Sequence, residues 1–172
     1  MIDKNSISTI LAVFFDNPTT EFHARELSRK TGLSIFAVLG AIKKLSNNGF
    51  VSTLKKGNMK IVKASNSARF IRAKRIRNLE KLYDSGIVDY LSEKYDKPEA
   101  IALFGSYSRG DDVEKSDIDI AIITKEHKEP DMKKFEKSLS RTISIHEIDI
   151  KKISREFHNN LINGIILEGA MV

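Results

Sequence analysis

Residues 101–123, IALFGSYSRGDDVEKSDIDIAII, decide how the rest of the chain is read: one apolar run ends in Gly105-Ser106, and a second carries two carboxylates. The stretch 116–123 reads as a strand, and alternate side chains of a strand share a face, so Asp117 and Asp119 project together. Neighbouring carboxylates repel, and a fold holds such a pair when a divalent cation neutralises it. Hard oxygen ligands with open positions suit magnesium bound together with substrate phosphates. Gly105 and Ser106 close the preceding strand with a loop whose amides and hydroxyl approach a phosphate, and Arg109 adds a cationic fork. An edge loop with solvated acids is the competing reading, but it requires the loop and the acid pair to coincide by accident.

GSYSRG, five residues, then SDID resembles the signature of polymerase-beta-like nucleotidyltransferases, in particular the minimal ones. The resemblance implies a nucleoside triphosphate, ATP foremost, at Gly105, Ser106, Arg109 and Gly110, with Asp117 and Asp119 bridging Mg2+ to its phosphates. It also implies a third carboxylate on a later strand. Residues 141–150 read as that strand, and HEIDI is similar to the family's segment, with Asp149 between two branched apolar residues. Glu147 shares the face of Asp149 and stands as the alternative. Two magnesium ions about 3.5–4 Å apart are then expected, the second shared with Asp149 and acting on an acceptor hydroxyl.

A chain of 172 residues, 41% hydrophobic, holds one large domain or two small ones with packed cores. Cysteine is absent, which excludes disulfides and thiolate metal sites and suits a cytoplasmic protein. The signal-like run ISTILAVFF at 7–15 is better read as a helix, since Ile7, Ile10, Leu11, Phe14 and Phe15 fall on one face. No run is long enough to span a membrane. The net charge of +6 is uneven: residues 1–97 carry 18 Lys and Arg against 9 acids, and 98–172 carry 11 against 14. A basic half is the usual footprint of a nucleic-acid contact, and a merely solvated basic face is the plainer reading.

In that half, a turn at 17–20 separates the first helix from a second, expected from Glu21 or His23 to Lys30. Ser34 is a good N-cap for a third, whose Val38, Ala41, Ile42 and Leu45 recur on one face until Asn47-Asn48-Gly49. Residues 50–54 and 59–62 alternate as two strands around the basic turn Lys55-Lys56-Gly57-Asn58. Three helices and a hairpin, with ARELSRKTGLSIFAVLGAIKKLSNNGFV, resemble a winged helix-turn-helix over roughly residues 5–64. The resemblance makes Lys43, Lys44, Lys55, Lys56 and Lys60 candidates for phosphate contact. The pattern departs at Ile35, Phe36 and Leu39, where a reading helix generally presents polar groups. An apolar patch there marks a protein interface more often than a DNA contact. DNA binding and dimerisation or partner docking both stand.

Residues 66–95 read as helical, with Phe70, Ala73, Ile76, Leu79 or Leu82, and Tyr83 as an apolar stripe and Arg69, Arg72, Lys74, Arg75 and Arg77 opposite. Gly86 breaks the segment, and a short helix follows from Ile87 to Tyr95. Beyond it come strands at 99–104, 116–124 and 141–150, helices at 131–139 and 151–163, and a terminal strand or tail. The four histidines, His23, His127, His146 and His158, show no ligand spacing and read as surface or capping residues.

The expected fold is α+β: a winged helix-turn-helix at 1–64, a helical linker at 65–97, and a small mixed sheet with helices of the polymerase-beta-like type at 98–172. The expected function is transfer of a nucleotide, AMP from ATP, to a protein hydroxyl or a nucleic-acid end. The resemblance implies a toxin-like protein as acceptor, the chain acting as antitoxin. About 75 catalytic residues leave no room for a template, which argues against a templated polymerase. The alternative is a winged-helix transcription regulator whose second half senses nucleotide without turnover.

Overall fold

The spacing of Ile7, Ile10, Leu11, Phe14 and Phe15 is realised as helix α1 (Lys4–Asp16) in the computed structural model, which describes residues 4–57, 59–150 and 152–171. Asn58 in the expected hairpin turn, Lys151 at the expected start of the last helix, Val172 in the expected tail and residues 1–3 lie outside the described residues. The chain divides into two compact units, 1–73 and 74–172. Residues 65–97, expected as a linker, are shared between the two.

In the first unit α1 is followed by β1 (Phe22–His23), α2 (Ala24–Thr31), α3 (Ile35–Asn47), β2 (Val51–Lys56), β3 (Met59–Ala64) and the opening turn of α4 (Ala68–Asp84). Two residues expected at the head of the second helix instead pair antiparallel with β3, giving a three-stranded sheet of order β1-β3-β2. His23 then caps α2, with the Glu26 side chain returning a bond to its amide. Gly32 ends α2 at φ 71°, a left-handed conformation natural to glycine. Ser34 caps α3 by accepting from the Ala37 amide at 3.2 Å. Ile10, Phe14, Leu27, Val38, Ala41, Leu45 and Val62 form the core, which Phe70 of α4 completes.

The second unit contains the rest of α4, α5 (Ile87–Lys94), β4 (Ala100–Phe104), α6 (Gly105–Arg109), β5 (Ile118–Ile123), α7 (Lys133–Leu139), β6 (Ile143–Ile148), α8 (Arg155–Ile162) and β7 (Ile165–Gly169). Its sheet has the order β6-β5-β4-β7; β4 is antiparallel to both neighbours, and β5 and β6 are parallel through the α7 crossover. Strand alternation sorts the side chains to two faces. Ile101, Leu103, Ile118, Ile120, Ile122 and Ile143 meet Leu82, Ile87, Leu91 and Phe135 of the helices in one core. Ala100, Ala102, Phe104, Ala121, Ile123 and Ile148 meet Leu161 of α8 in the other. Three alanines on that face leave room for α8.

One expectation along α4 is reversed. Lys74, placed on the basic side opposite the apolar stripe, is 1% exposed and paired with Asp112 at 2.8 Å, whereas Ile76 and Tyr83 of the expected apolar stripe are exposed. The buried stripe is Phe70, Lys74, Asn78 and Leu82, four apart, and its two polar members are satisfied together. Asn78 Nδ2 donates to Asp112 Oδ1 at 2.8 Å and to the Tyr107 carbonyl at 3.0 Å, and Lys74 donates to the Asp112 carbonyl. Burial pushes the Lys74 ammonium below the usual lysine range, and the hydrogen bond and charge of Asp112 offset only part of this.

Candidate active site

The apolar strand β4 delivers the chain to Gly105 at φ 72°, where α6 begins. A Cβ built there would lie 2.3 Å from Asp119 Oδ2, so the backbone of the loop rests directly against that carboxylate. A side chain there would push the Asp119 carboxylate aside, and the left-handed backbone itself favours glycine. Register explains the meeting: Phe104 is the cross-strand partner of Asp119. Behind Gly105, the buried Ser108 hydroxyl donates to the Gly105 carbonyl at 2.8 Å. Gly110, at φ 79°, closes the short helix by donating to the Ser106 carbonyl at 3.0 Å. Ser106 is half-buried at the loop; Arg109 is exposed, and its Nε donates to Asp111 at 3.0 Å.

Asp117 precedes β5 and is exposed. The turn that presents it is tied by the Val113 amide donating to the Ser116 hydroxyl at 2.9 Å. The network around Lys74 anchors the start of this turn at Asp112, and Arg141 Nη2 lies 3.9 Å from the other Asp112 oxygen. These buried groups hold the segment between the glycine loop and the aspartates. The charge run of α4 concealed them in the sequence; the i, i+4 pairing of Lys74 with Asn78 inside an apolar stripe was the one available signal.

The third carboxylate does not join them. In the parallel pair, Asp119 is the partner of Ser144 and Ile123 that of Ile148, so Asp149 stands five positions further along the sheet. At ~3.3 Å per residue that is about 16 Å away, beyond any bridge between adjacent ions. Asp149 pairs instead with Lys152 at 3.2 Å. Glu147 is excluded by its face as well. It accepts from the Tyr95 hydroxyl at 2.6 Å and the Lys128 amide at 2.7 Å and is paired with His127, all on the face opposite Asp119. Burial pushes this carboxyl up, but the bonds from Tyr95, Lys128 and His127 outweigh it and leave it below its usual range. Burial and the Glu147 bond raise the Tyr95 phenol.

The strand neighbour that does face Asp119 is His146, whose Nε2 lies 3.5 Å from Asp119 Oδ1. Spacing among the histidines gave no hint of it. The alternation of Ile143 and Ile145 with Ser144, His146 and Ile148 puts His146 on the second face, but only the register with β5 brings it to Asp119. Among the described residues, no three His, Cys, Asp or Glu side chains gather into a metal cage. The donors therefore do not fit a two-ion site with three carboxylates. Asp117 and Asp119 beside an open loop fit a single cation that takes its remaining oxygens from phosphate and water.

The five candidate lysines, Lys43, Lys44, Lys55, Lys56 and Lys60, are all exposed in the first unit. Ile35, Phe36 and Leu39 at the head of α3 are exposed too, Phe36 at 86%. Among the described residues, no helix is long and apolar enough to cross a membrane.

Among curated proteins and among solved structures, nothing matches the chain. The family model described as "Polymerase beta, Nucleotidyltransferase" matches residues 86–172, which include the glycine loop, both aspartates and all four strands of the second sheet. The chain thus belongs to the polymerase beta nucleotidyltransferase family, and its second unit is a nucleotidyltransferase domain.

Proposed function

We propose that the chain moves a nucleotide, AMP from ATP, to a protein hydroxyl or a nucleic-acid end, and that its first unit is a winged helix-turn-helix that directs it to the acceptor. The close approach of Gly105 to the Asp119 carboxylate carries the reading, since a phosphate received by that backbone would lie beside an oxygen able to hold its cation. Gly105 and Ser106 would receive the β and γ phosphates, and Arg109 would exchange its exposed pair with Asp111 for a phosphate oxygen. Asp117 and Asp119 would hold the divalent cation, Mg2+ by family habit, which when bound neutralises the triphosphate and its departing pyrophosphate. The order of three helices and a hairpin, and 12 Lys and Arg against 4 acids in residues 1–73, support the winged-helix reading. The exposed Phe36 supports a protein acceptor, a toxin-like partner, or a second copy docking at the same module.

The test is incubation of cell extract with the protein, labelled ATP and Mg2+ or Mn2+, beside a DNA shift assay over a salt series. Label on an acceptor that is lost in Asp119→Asn and Gly105→Ala, by at least about 100-fold, is the expected result. A steep salt-dependent shift with no transfer selects the regulator that only senses nucleotide. Transfer that survives Asp119→Asn removes the assignment.

A further inference from the structure

We infer that the first unit holds a ligand site of its own, a cavity between α3 and the β2-β3 hairpin that takes a small amphipathic anion. The ligand class is a carboxylate, sulfonate or phosphate monoester on an apolar body of ring size. All of the cavity's residues lie in the first unit, so it stands apart from the nucleotide reading. On α3, Leu39, Ile42, Lys43 and Ser46 fall at i, i+3, i+4 and i+7 and form one stripe. On the hairpin, Lys60 and Val62 alternate in β3 and Thr53 is the cross-strand partner of Val62, so all three share the sheet face that meets this stripe. Ala24 at the head of α2 completes the wall. The space among them is about 430 Å3, the size of a small-molecule pocket, whereas gaps left by ordinary packing seldom exceed a water molecule.

Two chemistries meet there. Ile42 and Val62 are buried and give an apolar floor, which Leu39 extends to the surface. Lys43 and Lys60 are exposed at the rim, and the half-buried Ser46 and Thr53 add hydroxyls. Residues 27–79 contain no Asp or Glu, so neither lysine has an acid on its own element. Lys56, which does not line the cavity, reaches back to Glu21 at 3.9 Å instead. Two cations uncompensated by their own elements beside an apolar floor are complementary to an anion that carries an apolar body. A nucleic-acid backbone brings the charge without the body, and a neutral apolar compound brings the body without the charge.

The experiment uses the full chain and two dyes of one skeleton, the anion anilinonaphthalene sulfonate and the neutral N-phenylnaphthylamine. Both are titrated by fluorescence, and far-ultraviolet dichroism verifies the fold of each variant. Wild type should bind the anion about ten-fold or more tightly than the neutral dye. Lys43→Ala with Lys60→Ala should bring the two within about three-fold, whereas Lys44→Ala, which removes a charge outside the cavity, keeps the difference. Thr53→Phe fills the space with a residue that strands accept, and should weaken both dyes by about ten-fold or more. No binding in wild type, equal binding of the two dyes, or a difference that survives the double lysine change overturns the inference. So does full displacement of the anion by equimolar inorganic phosphate, or a folded Thr53→Phe that binds as wild type. Should Thr53→Phe not fold, the lysine variants decide alone.

Discussion

The Glu147 carboxylate accepts from a phenol and an amide and is paired with an imidazole, and its pKa is held below the ordinary glutamate value of 4.5. The unfolded chain therefore binds a proton in acid that the folded chain does not. The stabilisation is complete above the unfolded value and is lost as pH falls through the folded one. Thermal melts from pH 7 to 3 should show wild type losing stability faster than Glu147→Gln below about pH 4.5. Parallel curves would mean that these bonds do not discriminate between the protonation states. Local alternation puts Asp117 and Asp119 on one strand face, but only Asp119 lies in β5, and Asp117 falls in the turn just before it. Glu147 and Asp149 were not separable from the sequence, because which end of β6 meets Asp119 depends on a register set through the α7 crossover.

Helix α4 is pinned to the loop before β5 by Lys74 and Asn78, which share Asp112. Removing one partner leaves an unpaired charge with 1% exposure. Lys74→Ala should therefore cost about 3–5 kcal/mol in urea denaturation. Lys74→Met with Asp112→Asn should cost clearly less than the sum of the two single changes, since the ionic partners leave together. A loss below about 1 kcal/mol for Lys74→Ala would show that Arg141 or water takes over. The helices themselves were largely readable: Ser34 accepts from Ala37 as an N-cap should, and Gly32 stops α2, whereas the last helix starts only at Arg155, behind its cap Ser154. The two-residue β1 was missed because its strand character comes from β3, forty residues away.

The boundary between the two units lies inside α4, so neither the expected start at 98 nor the family match from 86 covers the whole second core. Leu82, Ile87, Val88, Leu91 and Tyr95 all pack there. At ~1.5–3 kcal/mol each, their burial amounts to about 8–15 kcal/mol, comparable to the whole stability of a domain of this size. A fragment of residues 98–172 should show no cooperative melt by circular dichroism, whereas 68–172 should melt cooperatively. A cooperative transition in the shorter fragment would show that the helices are dispensable. Charge counting placed the division near 97 because composition changes there, but the core changes earlier, at Lys74, where a single lysine turns inward.

The buried phenol of Tyr95 has an optical consequence. The chain has no tryptophan, and its four tyrosines, Tyr83, Tyr90, Tyr95 and Tyr107, all fall in residues 74–172. Ultraviolet emission from the intact protein therefore reports the nucleotidyltransferase unit alone, while far-ultraviolet dichroism reports both units. Unfolding curves recorded by the two signals will separate wherever the units melt independently, so an unlabelled sample already carries a reporter for one half of itself.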